Sequence, residues 1–109
     1  MKKSKQKQLE RRGWRVGSAG VFLELRPEEA ALVEMKLNLS QALRVRREAC
    51  GLSQSVLAKR LRSSQSRVAK MEAAERTVSI DLLIRGLVLL GATQRDIARV
   101  LDSETGAAA

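Results

Sequence analysis

The chain has 109 residues, enough for one modest core and an extra arm, and carries 21 Lys and Arg against 12 Asp and Glu, a net charge of +9. With no histidine and a single cysteine it can assemble neither a His-based catalytic arrangement nor a Cys/His metal cage nor an internal disulfide, so neither an enzyme nor a bound cofactor or metal is expected. The positive excess makes a polyanion the first partner to consider. One Trp, one Phe and no Tyr provide no stacking platform for single strands, which favours duplex DNA.

The charge is unevenly placed. Residues 1–20 carry seven cations and one anion, 21–51 five of each, 52–72 five cations and one anion, and 73–109 four cations and five anions. The start, MKKSKQK, is followed by QLERRGW and not by an apolar run, so it does not read as a signal peptide. The longest aliphatic run, Leu87 to Leu90, is far short of the ~20 residues a membrane span needs, and a cytoplasmic protein is expected.

In chain order, residues 1–12 are a polar basic tail. Residues 13–25, GWRVGSAGVFLEL, form an arm in which Gly13, Gly17 and Gly20 punctuate Trp14, Val16, Phe22, Leu23 and Leu25. No Gly-Lys-Ser/Thr follows these glycines and the Rossmann spacing is missing, so the phosphate-loop signal is very weak. Trp14 and Phe22 are candidates to dock on the domain itself or on a partner. Pro27, Glu28 and Glu29 then start a helix, since proline suits the first helical position and carboxylates complement the positive end of the dipole. Leu32, Met35, Leu39, Leu43 and Arg46, with Ala42 and Ala49 alongside, recur at helical steps up to Gly51. This predicts one long helix over about 27–50, with Cys50 as a small buried filler beside the stop.

A second helix is expected from Ser53 to Leu61, with Leu57, Ala58 and Leu61 facing inward, and a third from Ser64, with Val68 and Met71 facing inward. A fourth runs from Ser79 to Gly91. A fifth, announced by Thr93-Gln-Arg-Asp96 as a capping box with Asp in place of Glu, reaches about Leu101. Nothing alternates with period two, so the fold class is all-α. The organisation expected is a tail and arm over 1–26, a helical domain over 27–102 and a frayed tail over 103–109.

Residues 51–72, GLSQSVLAKRLRSSQSRVAKME, place two short helices three residues apart, the helix-turn-helix arrangement that presents its second helix to a major groove. A cationic surface helix with no ligand would share the charge run but not this pairing. On the second helix Gln65, Ser66 and Lys70 face away from Val68 and Met71, with Arg67 flanking. Gln can pair with adenine and Lys can donate to guanine. Gln54 and Ser64 begin their helices, where donors can grip phosphate oxygens.

GLSQ, LAKRL, SQSRVAKME and the later VSIDLL, taken in order over roughly residues 39–91, resemble the XRE/Cro and phage-repressor helix-turn-helix family. The resemblance implies a five-helix, lambda-repressor-like domain that forms a homodimer, here with an added arm and an extended first helix. It implies DNA-contacting roles for Gln54, Gln65, Ser66 and Lys70, and an ion pair between Arg47 and Glu72. Where the family has glycine and then an aliphatic residue in the turn, this chain has Arg62 and Ser63. Either Arg62 keeps a left-handed backbone, at a cost of ~1 kcal/mol, or the turn is re-formed; an arginine at this corner could also reach a phosphate.

Helix four has more apolar positions than one face absorbs, which points to cover by the arm or by a second copy, with a homodimer favoured. The leading function is repression of transcription by a dimer on duplex DNA. The arm also resembles that of XRE-type, HigA-like antitoxins, which neutralise a small toxin protein and repress their own operon. Here Glu24, Glu28, Glu29 and Glu34 would offer the acidic strip.

Overall fold

The computed structural model describes residues 26–102, and these form five helices and no strand. They are α1 (Pro27–Ala49), α2 (Gln54–Arg60), α3 (Gln65–Glu72), α4 (Ile80–Leu89) and α5 (Gln94–Asp102). The tail and arm, with Trp14 and Phe22, and the residues after Asp102 lie outside the described part. No helix among the described residues is long and apolar enough to cross a membrane.

The helix starts follow the local chemistry. Pro27 opens α1 with Glu28 and Glu29 in its first turn. Ser53, Ser64 and Ser79 each accept a hydrogen bond from a backbone amide three residues on, Val56 N at 3.1 Å, Arg67 N at 3.2 Å and Leu82 N at 3.3 Å. At α5 the capping box closes in both directions: Thr93 N donates to Asp96 Oδ2 at 2.9 Å, and Asp96 N donates to Thr93 Oγ1 at 3.1 Å.

The helix ends share one device. After α1, α2, α3 and α4 the chain takes a single left-handed residue, and its amide and the one after it bond back into the helix as a Schellman motif. Gly51 (φ 70°) and Gly91 (φ 95°) do this without a Cβ penalty; Arg62 (φ 56°) and Ala74 (φ 54°) do not. At Arg62 the bonds are Arg62 N to Lys59 O at 3.1 Å and Ser63 N to Ala58 O at 2.8 Å. Arg62 thus keeps the left-handed turn expected of a glycine, and α3 is bracketed by two strained corners.

The core is entirely aliphatic. Leu39 and Leu43 from α1, Leu57 and Ala58 from α2, Val68 and Met71 from α3, Leu83 and Leu87 from α4, and Ile97 from α5 pack around one centre, with Val78, Leu90 and Ala92 from the connections. α1 is the spine, packing on α3, α4 and α5, while α2 packs on α3. Gly86 permits the α1–α4 approach, since a Cβ there would stand 3.0 Å from Leu43 Cδ1 and 3.4 Å from Met71 Cε.

Two expectations for α1 are corrected. Leu32 and Met35 are 52% and 36% exposed, and the inward face of the first turns is Val33, Lys36 and Ser40. α1 projects beyond the core there, and Lys36 can be buried because its Nζ donates to the Arg76 carbonyl at 3.0 Å. Burial pushes that ammonium below its ordinary pKa. Cys50 is exposed, not buried: it occupies the C-cap of α1, where the chain leaves the helix axis.

Replacing Arg62 or Ala74 by Gly is expected to raise unfolding free energy by about 1 kcal/mol each, measured by urea titration, because glycine removes the left-handed penalty. Asp96 sits below the ordinary carboxylate range, first because the Thr93 amide and hydroxyl hydrogen-bond to it and then because Arg46 and Arg99 are near. A depressed carboxylate stabilises the fold above its unfolded pKa of about 3.9 and loses that contribution as pH falls through the folded value. Asp96→Ala should therefore lower the urea midpoint at neutral pH, with the difference from the parent chain shrinking below about pH 4.

Candidate nucleic-acid interface

α2 and α3 are too short to be stable alone, with 7 and 8 residues, and their packing through Leu57, Ala58, Val68 and Met71 holds them. This fixes which residues α3 turns outward. Gln65, Ser66, Arg67 and Lys70 are exposed on α3, Ser64 at its cap and Arg62 at the corner before it. Ser64 Oγ accepts from Arg67 N and lies 3.2 Å from Ser66 Oγ, so its hydroxyl is engaged in capping.

Beneath this face lies a buried ion pair. Arg47, in the last turn of α1, and Glu72, the final residue of α3, have side chains only 11% and 5% exposed. Arg47 Nε donates to Glu72 Oε2 at 2.5 Å and Nη2 to Oε1 at 3.0 Å, a bidentate fork. The third contact, Nη1 to the Leu52 carbonyl at 2.7 Å, ties in the turn before α2. The Glu72 hydrogen bond pushes the Arg47 guanidinium pKa further up, so the arginine stays charged.

The pair extends to the surface through two glutamines that begin the two short helices. Gln54 Nε2 donates to Glu72 Oε1 at 3.1 Å, and Gln54 Oε1 accepts from Gln65 Nε2 at 2.7 Å. Gln54, half-buried, uses both ends of its carboxamide internally. Gln65 uses one N–H and keeps its carbonyl oxygen and second N–H facing outward. Residues named separately from the sequence thus meet in one chain: Arg47, Glu72, Gln54, Gln65. The Gln54–Gln65 bond was not visible in the sequence, because a separation of eleven residues follows no helical period and depends on how α2 crosses α3.

Exposed positive charge is dense over residues 59–70. Lys59, Arg60, Arg62, Arg67 and Lys70 are all exposed, and the one acid in the segment, Glu72, is already taken by Arg47. On α1, by contrast, Arg44 pairs with Glu48 at 3.7 Å, and Arg46 with Asp96 at 3.4 Å. A cationic surface with a fixed amide at its centre suits an anionic ligand whose interior carries hydrogen-bonding edges.

A family model described as a helix-turn-helix domain matches residues 38–100, more than half of the chain. No curated protein and no solved structure matches.

Arg47→Ala is expected to lower unfolding free energy by roughly 3 kcal/mol, because it leaves the Glu72 carboxylate buried without its partner. The exposed pair gives the contrast: Arg44→Ala should change stability by less than about 0.5 kcal/mol, both read by chemical denaturation.

Proposed function

The chain belongs to the helix-turn-helix domain family, and on that premise we propose that it is a dimeric, sequence-specific regulator that binds duplex DNA with α3 in the major groove. The observation that carries this reading is the outward carboxamide of Gln65, held by Gln54 and, behind it, by the buried Arg47–Glu72 pair. Adenine offers an acceptor and a donor side by side in the major groove, and a Gln carboxamide matches both. One N–H of Gln65 is committed to Gln54, so its amide plane is set before DNA arrives and less rotamer entropy is lost on binding.

Each remaining exposed residue has a place in this reading. Lys70 reaches guanine, Ser66 tolerates several bases, and Arg67 flanks them on the groove side. Ser64 and the free amides at the start of α3 take a phosphate, with Gln54 acting chiefly through Gln65. Arg62 extends from the strained corner to a second phosphate. The basic tail, with Lys2, Lys3, Lys5, Lys7, Arg11 and Arg12, adds affinity without sequence preference. Dimerisation is supported by Val88 and Leu89 at the end of α4, which are 53% and 43% exposed. Occupying a promoter in this way represses transcription. Autoregulation as an antitoxin is the second reading, supported by the exposed Glu28 and Glu29 as a strip for a basic toxin partner.

Gln65→Ala and Lys70→Ala should each reduce preference for the cognate site over random duplex by about 1–3 kcal/mol. Replacing the tail lysines by alanine should weaken both duplexes alike and flatten the salt dependence by about 0.9 log units per lost phosphate contact. Fluorescence anisotropy with both duplexes at several salt concentrations measures this, and equal losses on both duplexes for Gln65→Ala would remove α3 from the groove. Arg62→Gly should fold more tightly yet bind DNA with a smaller salt slope; an unchanged slope would show that the arginine touches no phosphate.

A further inference from the structure

The domain carries an open, mostly apolar groove of about 530 Å³ between α1 and α5, within the usual size range of binding clefts. Ala42, Val45, Ala49, Cys50 and Val100 form its apolar lining, and polar side chains, Arg46 among them, complete it. Val45 is 58% exposed, and Ala49 and Cys50 are exposed as well. On α1 the stripe Met35, Asn38, Ala42, Val45 and Ala49 recurs at alternating steps of three and four, so the exposed Leu32 and Met35 continue the groove toward the start of the helix.

We propose that the chain's own arm, residues 13–25, lies back along α1, with Phe22 over Leu32 and Met35 and the Trp14 indole in the groove at Val45, Ala49 and Cys50. Reach and register support this occupant. Trp14 lies 12 residues before Arg26, which spans about 40 Å when extended. Val45 to Cys50 lie about 29–36 Å from Arg26 along the helix axis, at 1.5 Å per residue. Phe22, four residues before Arg26, reaches about 14 Å, and Met35 lies about 14 Å along the axis. Gly13, Gly17 and Gly20 disfavour a helix here, and only an extended arm meets both sites.

Composition points the same way. Trp14 and Phe22 are the only aromatic residues of the chain, and the described core contains neither. Residues 103–109, SETGAAA, also begin near this face but contain no large apolar side chain to fill the groove. A second copy must meet the groove from solution, whereas the tethered arm is present at an effective concentration of the order of millimolar.

One tryptophan and one cysteine make the test direct in the full-length chain, and it involves no DNA, so its outcome is separate from that of the proposed function. The expected result is Trp14 emission shifted to the blue of the urea-unfolded chain and several-fold protected from acrylamide. Both should persist on dilution to concentrations where sedimentation finds only monomer. Val45→Glu, at an exposed position, should move the emission to the red and raise quenching, while Val56→Glu, at another exposed apolar position, on α2, should leave both unchanged. Trp14→Ala should speed maleimide labelling of Cys50 several-fold. Circular dichroism shows that each variant is folded. Trp14 quenched as readily as free tryptophan, or insensitive to Val45→Glu, overturns the proposal. Protection that appears only as a dimer forms assigns the groove to a second copy and overturns it too.

Discussion

The salt bridge between Arg47 and Glu72 is the contact on which the arrangement of the other helices depends. Neither charge would be tolerable there alone. Glu72 ends α3, where the helix dipole already presents partial negative charge, and its side chain is almost wholly removed from water. Arg47 offsets both penalties with a two-point fork, and its own position near the carbonyl end of α1 is favourable to a cation. The remaining guanidinium contact goes to the Leu52 carbonyl, so the end of α1, the entry to α2 and the end of α3 are fixed by one side chain. A buried ion pair is weak evidence for net stability, but this one has a geometry that two hydrophobic residues could not supply. The free lone pair of Glu72 orients Gln54, and Gln54 orients Gln65. A rotamer at the protein surface is thereby set from the core.

The same segment carries most of the local strain. α3 enters after Arg62 and leaves through Ala74, both with positive φ, where α1 and α4 use glycine. Two penalties of about 1 kcal/mol are appreciable beside a total stability of about 5–15 kcal/mol for a domain of this kind. They are sustained because Val68 and Met71 are fully buried between α1, α2 and α4, so any relaxation of either corner would draw them out of the core. Packing decides the position of α3, and the corners conform to it.

Helix starts were legible in the sequence because capping is chemistry of three or four neighbouring residues: Ser53, Ser64, Ser79 and the Thr93–Asp96 box stand where their helices begin. Gly51 and Gly91 marked two ends for the same reason. The family pattern carried the Arg47–Glu72 pairing, which spacing alone does not contain. What local pattern does not encode is where the partner surface stops. The period through Leu32 and Met35 is genuine, yet the core lies beneath the later turns of α1, so these two side chains face outward while Lys36 is buried. Cys50 was misread because its size suggested filler, whereas its position is a cap. Ala74 gave no signal at all, since nothing in an alanine announces a left-handed backbone.

Arg62 shows how fold and site constrain each other. The Schellman geometry after α2 leaves one residue with positive φ, and its side chain leaves the corner toward solvent just before the cap of α3. Glycine there would be more stable, and a short polar residue such as asparagine would also suit the conformation. An arginine is therefore poorly explained by folding alone. Its charge joins the exposed Lys59, Arg60, Arg67 and Lys70 in a segment whose one acid, Glu72, is already paired, so in the isolated domain it adds repulsion to strain. Beside a phosphate backbone the repulsion turns into attraction, and the charge-assisted hydrogen bond gained by the extended side chain offsets the strain that remains. The corner that is least suited to the free protein is thus the one best suited to the complex proposed for it.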